Sequence, residues 1–299
     1  MPFSIISVPP ESVVGDEQLG SKTKFWFDHE NGRWLFKEAR ENTGEDWAEC
    51  IGSAIATLIN ISTAHVELSE FKGRRGCASQ SFVTVGESLV HGNEILAVQI
   101  HGYDRSKKLR QADHTIKNIF VAITKLFATD EQTRDAVLVQ LAEYLVLDAL
   151  IGNTDRHHEN WGLLVRDVSG GFQESAGTRI RVAPSFDHAS SLGRELRDEK
   201  REEIVDRGTI ASYVHKARGG VYLKPTDRHG ANPLELIRIA SEEFPVYFRT
   251  ALEKVSSVPI NSILALIDEV PGARMSSSAQ RLSKAFLTYT HSALRKLSP

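Results

Sequence analysis

The sequence predicts an α+β protein of two lobes, a small N-terminal lobe built on an antiparallel sheet with one helix and a larger, mainly helical C-terminal lobe. Three observations carry this. Up to Tyr103 the chain reads as short strand-like runs broken by turns, with one helical stretch among them. From Lys107 on, apolar residues recur at helical spacing. A polar stretch, Gly152 to Asn160, then interrupts the helical part between two apolar segments, Ala136 to Leu150 and Trp161 to Val165. The expected lobes are residues 1–103 and 104–299.

Composition limits the functions open to such a chain. With 299 residues, 41% of them hydrophobic, it can fill a core in each lobe. A net charge of -3 provides no basic field for nucleic acid or an anionic membrane, so neither is expected as a direct partner. The two cysteines, Cys50 and Cys77, form no CxxC pair and read as buried small residues in a reducing compartment. No secretion signal and no apolar run of about 18 residues appears, so cytoplasmic residence is expected. Delivery as a secreted effector without a readable signal remains the alternative.

In chain order, Ser4 to Val14 reads as a short extended start and Gly15 to Lys24 as a polar loop. Gly20, Ser21, Lys22, Thr23 and Lys24 could cradle a phosphate, since glycine admits backbone N–H groups to it and an ammonium offsets its charge. Lys24 to Phe27 and Trp34 to Glu38 form a hairpin around an Asn-Gly turn. Lys37, near the end of the second strand, either reaches a phosphate or lies along an edge with its head in water. Thr43 to Ile59 is helical, and Glu49, one turn before its apolar face, either pairs with Lys37 or simply suits the helix dipole. Ala64 to Phe71, Cys77 to Val85 and Glu94 to Ile100 are expected as further strands. By its place in the chain the last would lead out of the lobe as a hinge, with Val98, Gln99 and Ile100 offering backbone groups to an adenine edge, although its composition equally suits a plain buried strand.

In the second part, Thr115 to Ala128 and Asp130 to Leu150 read as helices. The polar loop follows, then a hairpin of Trp161 to Asp167 and Thr178 to Ala183 around Gly170 and Gly171. Antiparallel pairing there brings Asn160 and Asp187 to one edge, where an amide oxygen and a carboxylate suit Mg²⁺. The adjacent His157 and His158 tempt a zinc reading. Neighbouring histidines point apart, however, and no further His or Cys stands at ligand spacing. Glu195 to Arg207 is charge-dense, a solvated helix or a mobile segment. Four more helical runs, from Leu234, Phe244, Ile260 and Ala279, complete the lobe.

Asp155 and Asn160 stand five apart, as do the catalytic-loop Asp and Asn of protein kinases, although the preceding His-Arg is absent. The wording Gly-Asn-Thr-Asp-Arg-His-His-Glu-Asn-Trp-Gly, followed by Ala183-Pro184-Ser185-Phe186-Asp187, resembles the HipA-type serine/threonine kinases, and among them the compact CtkA-like members. The resemblance implies a protein-kinase-like fold and phosphoryl transfer from ATP with Mg²⁺ to a protein Ser or Thr, with autophosphorylation. It implies Asp155 as the base that positions the hydroxyl and His157 as the loop histidine that orients Asp155 or packs beneath the loop. Asn160 and Asp187 would hold Mg²⁺, and Lys37, supported by Glu49, would contact phosphate.

Asp187-His188-Ala189 replaces the Asp-Phe-Gly of ordinary kinases. Against the larger HipA proteins there are two departures: Glu17 occupies the place where many members carry an autophosphorylated serine, and their extra N-terminal subdomain is not expected here. Met1 precedes the phosphate loop by about a dozen residues, so a small antitoxin or regulatory protein could supply the extra subdomain of larger members. A toxin or effector role would follow. The alternatives are a catalytically silent nucleotide-binding module that partners a DNA-binding antitoxin, and a lipid or small-molecule kinase.

Overall fold

Alternating aromatic residues open the first sheet. The computed structural model describes residues 3–16, 23–30, 32–107, 110–167 and 178–298. Ile5–Ser7 (β1), Val13–Asp16 (β2), Lys24–His29 (β3) and Gly32–Glu38 (β4) precede helix Glu45–Leu58 (α1), then Val66–Phe71 (β5) and Arg74–Gln80 (β6). They form one six-stranded sheet in the order β1-β5-β6-β4-β3-β2, antiparallel except where β1 lies beside β5. The two-residue period sends Phe25, Phe27, Trp34 and Phe36 to one face, where they close a small core with Ile6, Val8 and Ala78. Leu68 and Cys77 go to the other face and join the main core with Ile51 and Ile55 of α1. Lys37 is opposite Cys77 in the ladder and so looks into the space beneath α1.

A second sheet begins at Glu87–His91 (β7), which pairs with Gly162–Asp167 (β8), itself paired with Thr178–Val182 (β9), all antiparallel. Residues 81–86 are therefore where the chain crosses from one sheet to the other. This corrects one expectation: Glu94 to Ile100 is not the last strand of the first sheet but most of helix Gly92–Gln99 (α2). Periodicity cannot assign so short an apolar run. The start signal decides it, because Glu94 Oε2 accepts from the His91 amide (2.9 Å). Ile95 and Leu96 are buried, while Val98 is 80% exposed.

Helices make up most of the rest: Ile116–Leu126 (α3), Glu131–Ile151 (α4), Asp198–Asp206 (α5), Ile210–Lys216 (α6), Pro233–Glu243 (α7), Pro245–Ser257 (α8), Ile260–Asp268 (α9) and Ser277–Arg295 (α10). α4 is the axis of this lobe. Asp130 caps its start by accepting from Thr133 N (3.0 Å), and every residue of its last two turns is buried. It stops at Gly152, whose φ of 70° is the left-handed turn that frees the chain for the polar loop. The charge-dense run settles as α5, with Arg201 and Ile204 turned inward. No helix among the described residues is long and apolar enough to cross a membrane.

Candidate active site

The polar loop is pinned from below by a buried arginine. Arg156, 3% exposed, meets both carboxylate oxygens of Asp148 on α4 through Nε and Nη2, each at 2.8 Å. Its Nη1 donates to the carbonyls of Asn160 (2.6 Å) and Phe186 (2.9 Å), and Nη2 also donates to the Ser185 hydroxyl (3.0 Å). Two charges withdrawn from water repay that cost only with such complete pairing. One nitrogen thus holds the end of the loop and the residue before Asp187 together.

Above this anchor Asp155 is exposed. Its carbonyl accepts from His157 N (2.7 Å) and Asn160 Nδ2 (2.8 Å), and its amide donates to Asn153 Oδ1 (3.0 Å). With the Asn160 nitrogen so committed, its amide oxygen is the end left for a cation. The two histidines diverge, their rings 81° apart. His157 is half-buried and its Nδ1 accepts from Glu159 N (3.2 Å). His158 is the one packed beneath the loop, with Nδ1 2.8 Å from the Tyr103 hydroxyl.

The segment carrying Asp187 is stitched to both lobes. Ser185 N donates to Ser62 O (3.0 Å) and Ala64 N to Ser185 O (2.9 Å). On the other side Thr154 N donates to Ser190 O (3.1 Å) and Leu192 N to Ile151 O (3.0 Å). Between these ties Asp187 takes a φ of 62°, a conformation costly for a residue with a side chain and one that such over-determination sustains.

Lys37 Nζ lies 3.1 Å from Asp187 Oδ1 and joins residues 150 apart in sequence. Burial alone would push the Asp187 carboxyl up, but the ammonium groups of Lys37 and Lys24 outweigh it and hold the carboxylate ionised, well below its ordinary range. Burial likewise would lower the Lys37 pKa, yet Asp187, then Glu49, raise it above the usual lysine value.

The expected hydrogen-bonded pair of Lys37 with Glu49 is therefore replaced by Lys37 with Asp187, because Glu49 faces elsewhere. It is buried, its Oε1 3.7 Å from His188 Nδ1. Burial pushes its carboxyl up against the pull of Lys37. Burial also keeps His188 neutral, well below the ordinary imidazole value, with Nε2 2.8 Å from Ser185 Oγ. Among the described residues Glu49 Oε2 and His188 Nδ1 lack hydrogen-bond partners.

Of the phosphate-loop residues, Gly20, Ser21 and Lys22 lie outside the described residues, as do Glu17 and the Gly170-Gly171 turn. Thr23 is exposed and its carbonyl accepts from Glu38 N (3.1 Å). Lys24 stands opposite Lys37 in the hairpin, on the same face. Val98, Gln99 and Ile100 stand apart from the crossing between the sheets, since α2 packs on α3 and Lys125 Nζ donates to Gln99 O (3.0 Å). In their place the crossing carries Phe82, whose ring stacks on Phe186 at 5.6 Å, next to Asp187.

Sequence reasoning missed Asp148, Arg156, His188 and Phe82. A carboxylate inside Leu145 to Ile151 was the available signal, since an acid in an apolar helix needs a partner. The oxygen pair of Asn160 and Asp187, one neutral and one firmly ionised, fits a hard divalent cation.

A family described as "HipA-like C-terminal domain" matches residues 18–225. Among curated proteins none matches the chain by sequence. The Helicobacter pylori proinflammatory kinase CtkA has a similar fold, with a TM-score of 0.77 at 18% identity over 99% of this chain and 98% of that one. HipA of Shewanella oneidensis MR-1, solved with HipB and its operator DNA as a toxin–antitoxin system, matches with a TM-score of 0.57 at 12% identity. That match covers 95% of this chain, which spans 64% of the HipA-complex chain.

Proposed function

Because the chain belongs to the HipA-like C-terminal domain family, we propose that it is a serine/threonine protein kinase, which transfers the γ-phosphoryl group of Mg²⁺-bound ATP to a protein hydroxyl, its own included. The observation that carries this is the contact of Lys37 with Asp187, which joins the two lobes' charges on a segment that Arg156 ties to the loop of the exposed Asp155.

Asp155 accepts the proton of the acceptor Ser or Thr as its oxygen bonds to the γ-phosphorus. The bond from that phosphorus to the β-phosphate oxygen breaks, and ADP leaves. Lys37 and Lys24 offset phosphate charge. The oxygens of Asn160 and Asp187 would hold Mg²⁺, which when bound supplies charge compensation for the phosphates. Lys37 and Asp187 neutralise each other in the structure, and each would then take one charge of the incoming pair. Arg156 holds the loop in register, as a reaction that depends on positioning requires.

By analogy with HipA and HipB, a small antitoxin or regulatory protein is the proposed partner, with no direct contact of this chain to DNA. A toxin or effector role is part of the same proposal.

The test is transfer of labelled γ-phosphate to the protein itself and to a cell lysate. Wild type is expected to label protein, and Asp155→Asn to lose about 10²–10⁴-fold while still binding ATP. Asp187→Ala should lose transfer and Mg²⁺-dependent ATP binding together. A wild-type protein that binds no ATP would sink the proposal, and labelling confined to lipids or metabolites would replace it with a small-molecule kinase.

A further inference from the structure

A cleft of about 730 Å³ opens against the start of the polar loop and plays no part in the chemistry above. It starts at Gly152 and Thr154, runs along the segment after Asp187, and is closed by α5, α6 and the Phe286 ring of α10. Thr154, which lines the cleft, is the residue before Asp155, and a Cβ on Gly220, two residues after the lining Arg218, would lie 2.8 Å from the Arg156 carbonyl carbon and 2.9 Å from His157 N, so the segment that follows Arg218 packs against the loop.

The charge of this cleft is opposite to that of the chain as a whole. Four cations line it, Arg194, Lys200, Lys216 and Arg218, against one carboxylate, Glu195, in a protein of net charge -3. Two of the four are committed: Arg194 Nη1 lies 2.6 Å from Glu45 and Lys200 Nζ 2.7 Å from Glu203. The other two are exposed and, among the described residues, have no carboxylate partner. Arg218 donates to the carbonyls of His215 (3.0 Å) and Ala217 (2.8 Å). Glu195, which accepts from the Tyr213 hydroxyl (2.9 Å), offsets one of the four charges. A concave, partly apolar wall focuses the field of such uncompensated cations.

We propose that this cleft receives the acceptor polypeptide and selects one with Asp or Glu flanking the Ser or Thr, its carboxylates pairing with Lys216 and Arg218 while the hydroxyl reaches Asp155. The proposal rests on the kinase reading for its transfer step. Binding and transfer are therefore measured separately.

Three labelled peptides share a central Ser and differ in Asp/Glu, neutral or Lys flanks. Fluorescence anisotropy on Asp155→Asn protein reads binding without turnover, and kcat/KM on wild type reads transfer. Acidic flanks are expected to gain about tenfold in both, as two rim ion pairs can supply, and the gain should shrink as salt is raised. Lys216→Glu with Arg218→Glu should invert the order toward Lys flanks. Arg218 also caps the end of α6, so Lys216→Glu alone is the variant that spares the fold and should lose about half of the logarithmic preference.

Equal binding and equal transfer of the three peptides, or an unchanged order in the charge-reversed proteins, would overturn the proposal. Transfer without acidic preference would leave the kinase reading standing and remove this one. Charge-selective binding with no transfer would do the reverse.

Discussion

Arg156 shows how much of this site depends on one side chain that touches no substrate. It is fully paired and buried, and its five hydrogen bonds reach α4, the loop end and the Asp187 segment. Arg156→Ala would strand Asp148 in the core, and the expected cost is about 3–5 kcal/mol in denaturant unfolding. Arg156→Lys should recover only part of it, because an ammonium cannot reproduce the bidentate fork. A loss under about 1 kcal/mol for the alanine variant would show that water replaces the guanidinium and that the loop is held by its backbone.

Asp155 and Asn160 could be picked out in the sequence by their spacing in a polar stretch between apolar elements, and Asp187 by the Pro-x-x-Asp wording of the resemblance. The role of Arg156 could not, since its partner lies eight residues back across a helix end, a distance no period describes.

At the scale of elements, α1 is the piece most dependent on both lobes. Its first turn is held by arginines from far along the chain: Asp46 by Arg75 (2.7 Å) and Arg274 (3.2 Å), Glu45 by Arg194 (2.6 Å). One turn on, Glu49 faces His188, and Gly52 lies against it so closely that a Cβ would be 2.7 Å from the His188 Cβ. Gly52→Ala therefore sets a gain in helix propensity of about 1 kcal/mol against overpacking of about 1–3 kcal/mol. Because His188 is walled in at 0% exposure and cannot retreat, overpacking is expected to win. The Asp187 segment should shift, and phosphoryl transfer should fall about tenfold. Unchanged transfer in a protein of unchanged melting temperature would mean that the contact relaxes at no cost.

α1 itself was legible from its repeating apolar face. α2 was not, because Ile95 to Ile100 is apolar but for Gln99 and suits a strand as well as a helix. Only its packing on α3 and the cap at Glu94 chose between them.

For the molecule as a whole, buried imidazoles set the response to acid. Burial drives His114 down to about 3, as expected of a ring whose Nε2 accepts from Trp161 Nε1 (3.0 Å) and whose Nδ1 donates to Gly220 O (2.8 Å). Burial lowers His188 likewise. Both stay neutral when folded but take up protons near pH 6.5 once unfolded, so the unfolded state binds more protons below that value. Stability is then complete above about pH 6.5 and falls on acidification by about 1.4 kcal/mol per pH unit for each ring. Asp187, held low by Lys37, adds its own loss in the same direction at still lower pH. Urea unfolding between about pH 7 and about pH 5 is expected to show a loss of stability on acidification, and His114→Gln to remove one ring's share of it. A pH-independent midpoint would mean that the two rings protonate in place.

The two-lobe plan and the order Lys37, Asp155, Asn160, Asp187 were written in the chain, because local periodicity and polarity follow from neighbours in sequence. Which of these charges meet was decided only in three dimensions. Lys37 has two carboxylates within electrostatic reach and bonds to Asp187, while the buried Glu49 turns to His188. That choice depends on desolvation and on where two sheets and α1 converge, and neither quantity exists until the lobes have packed together.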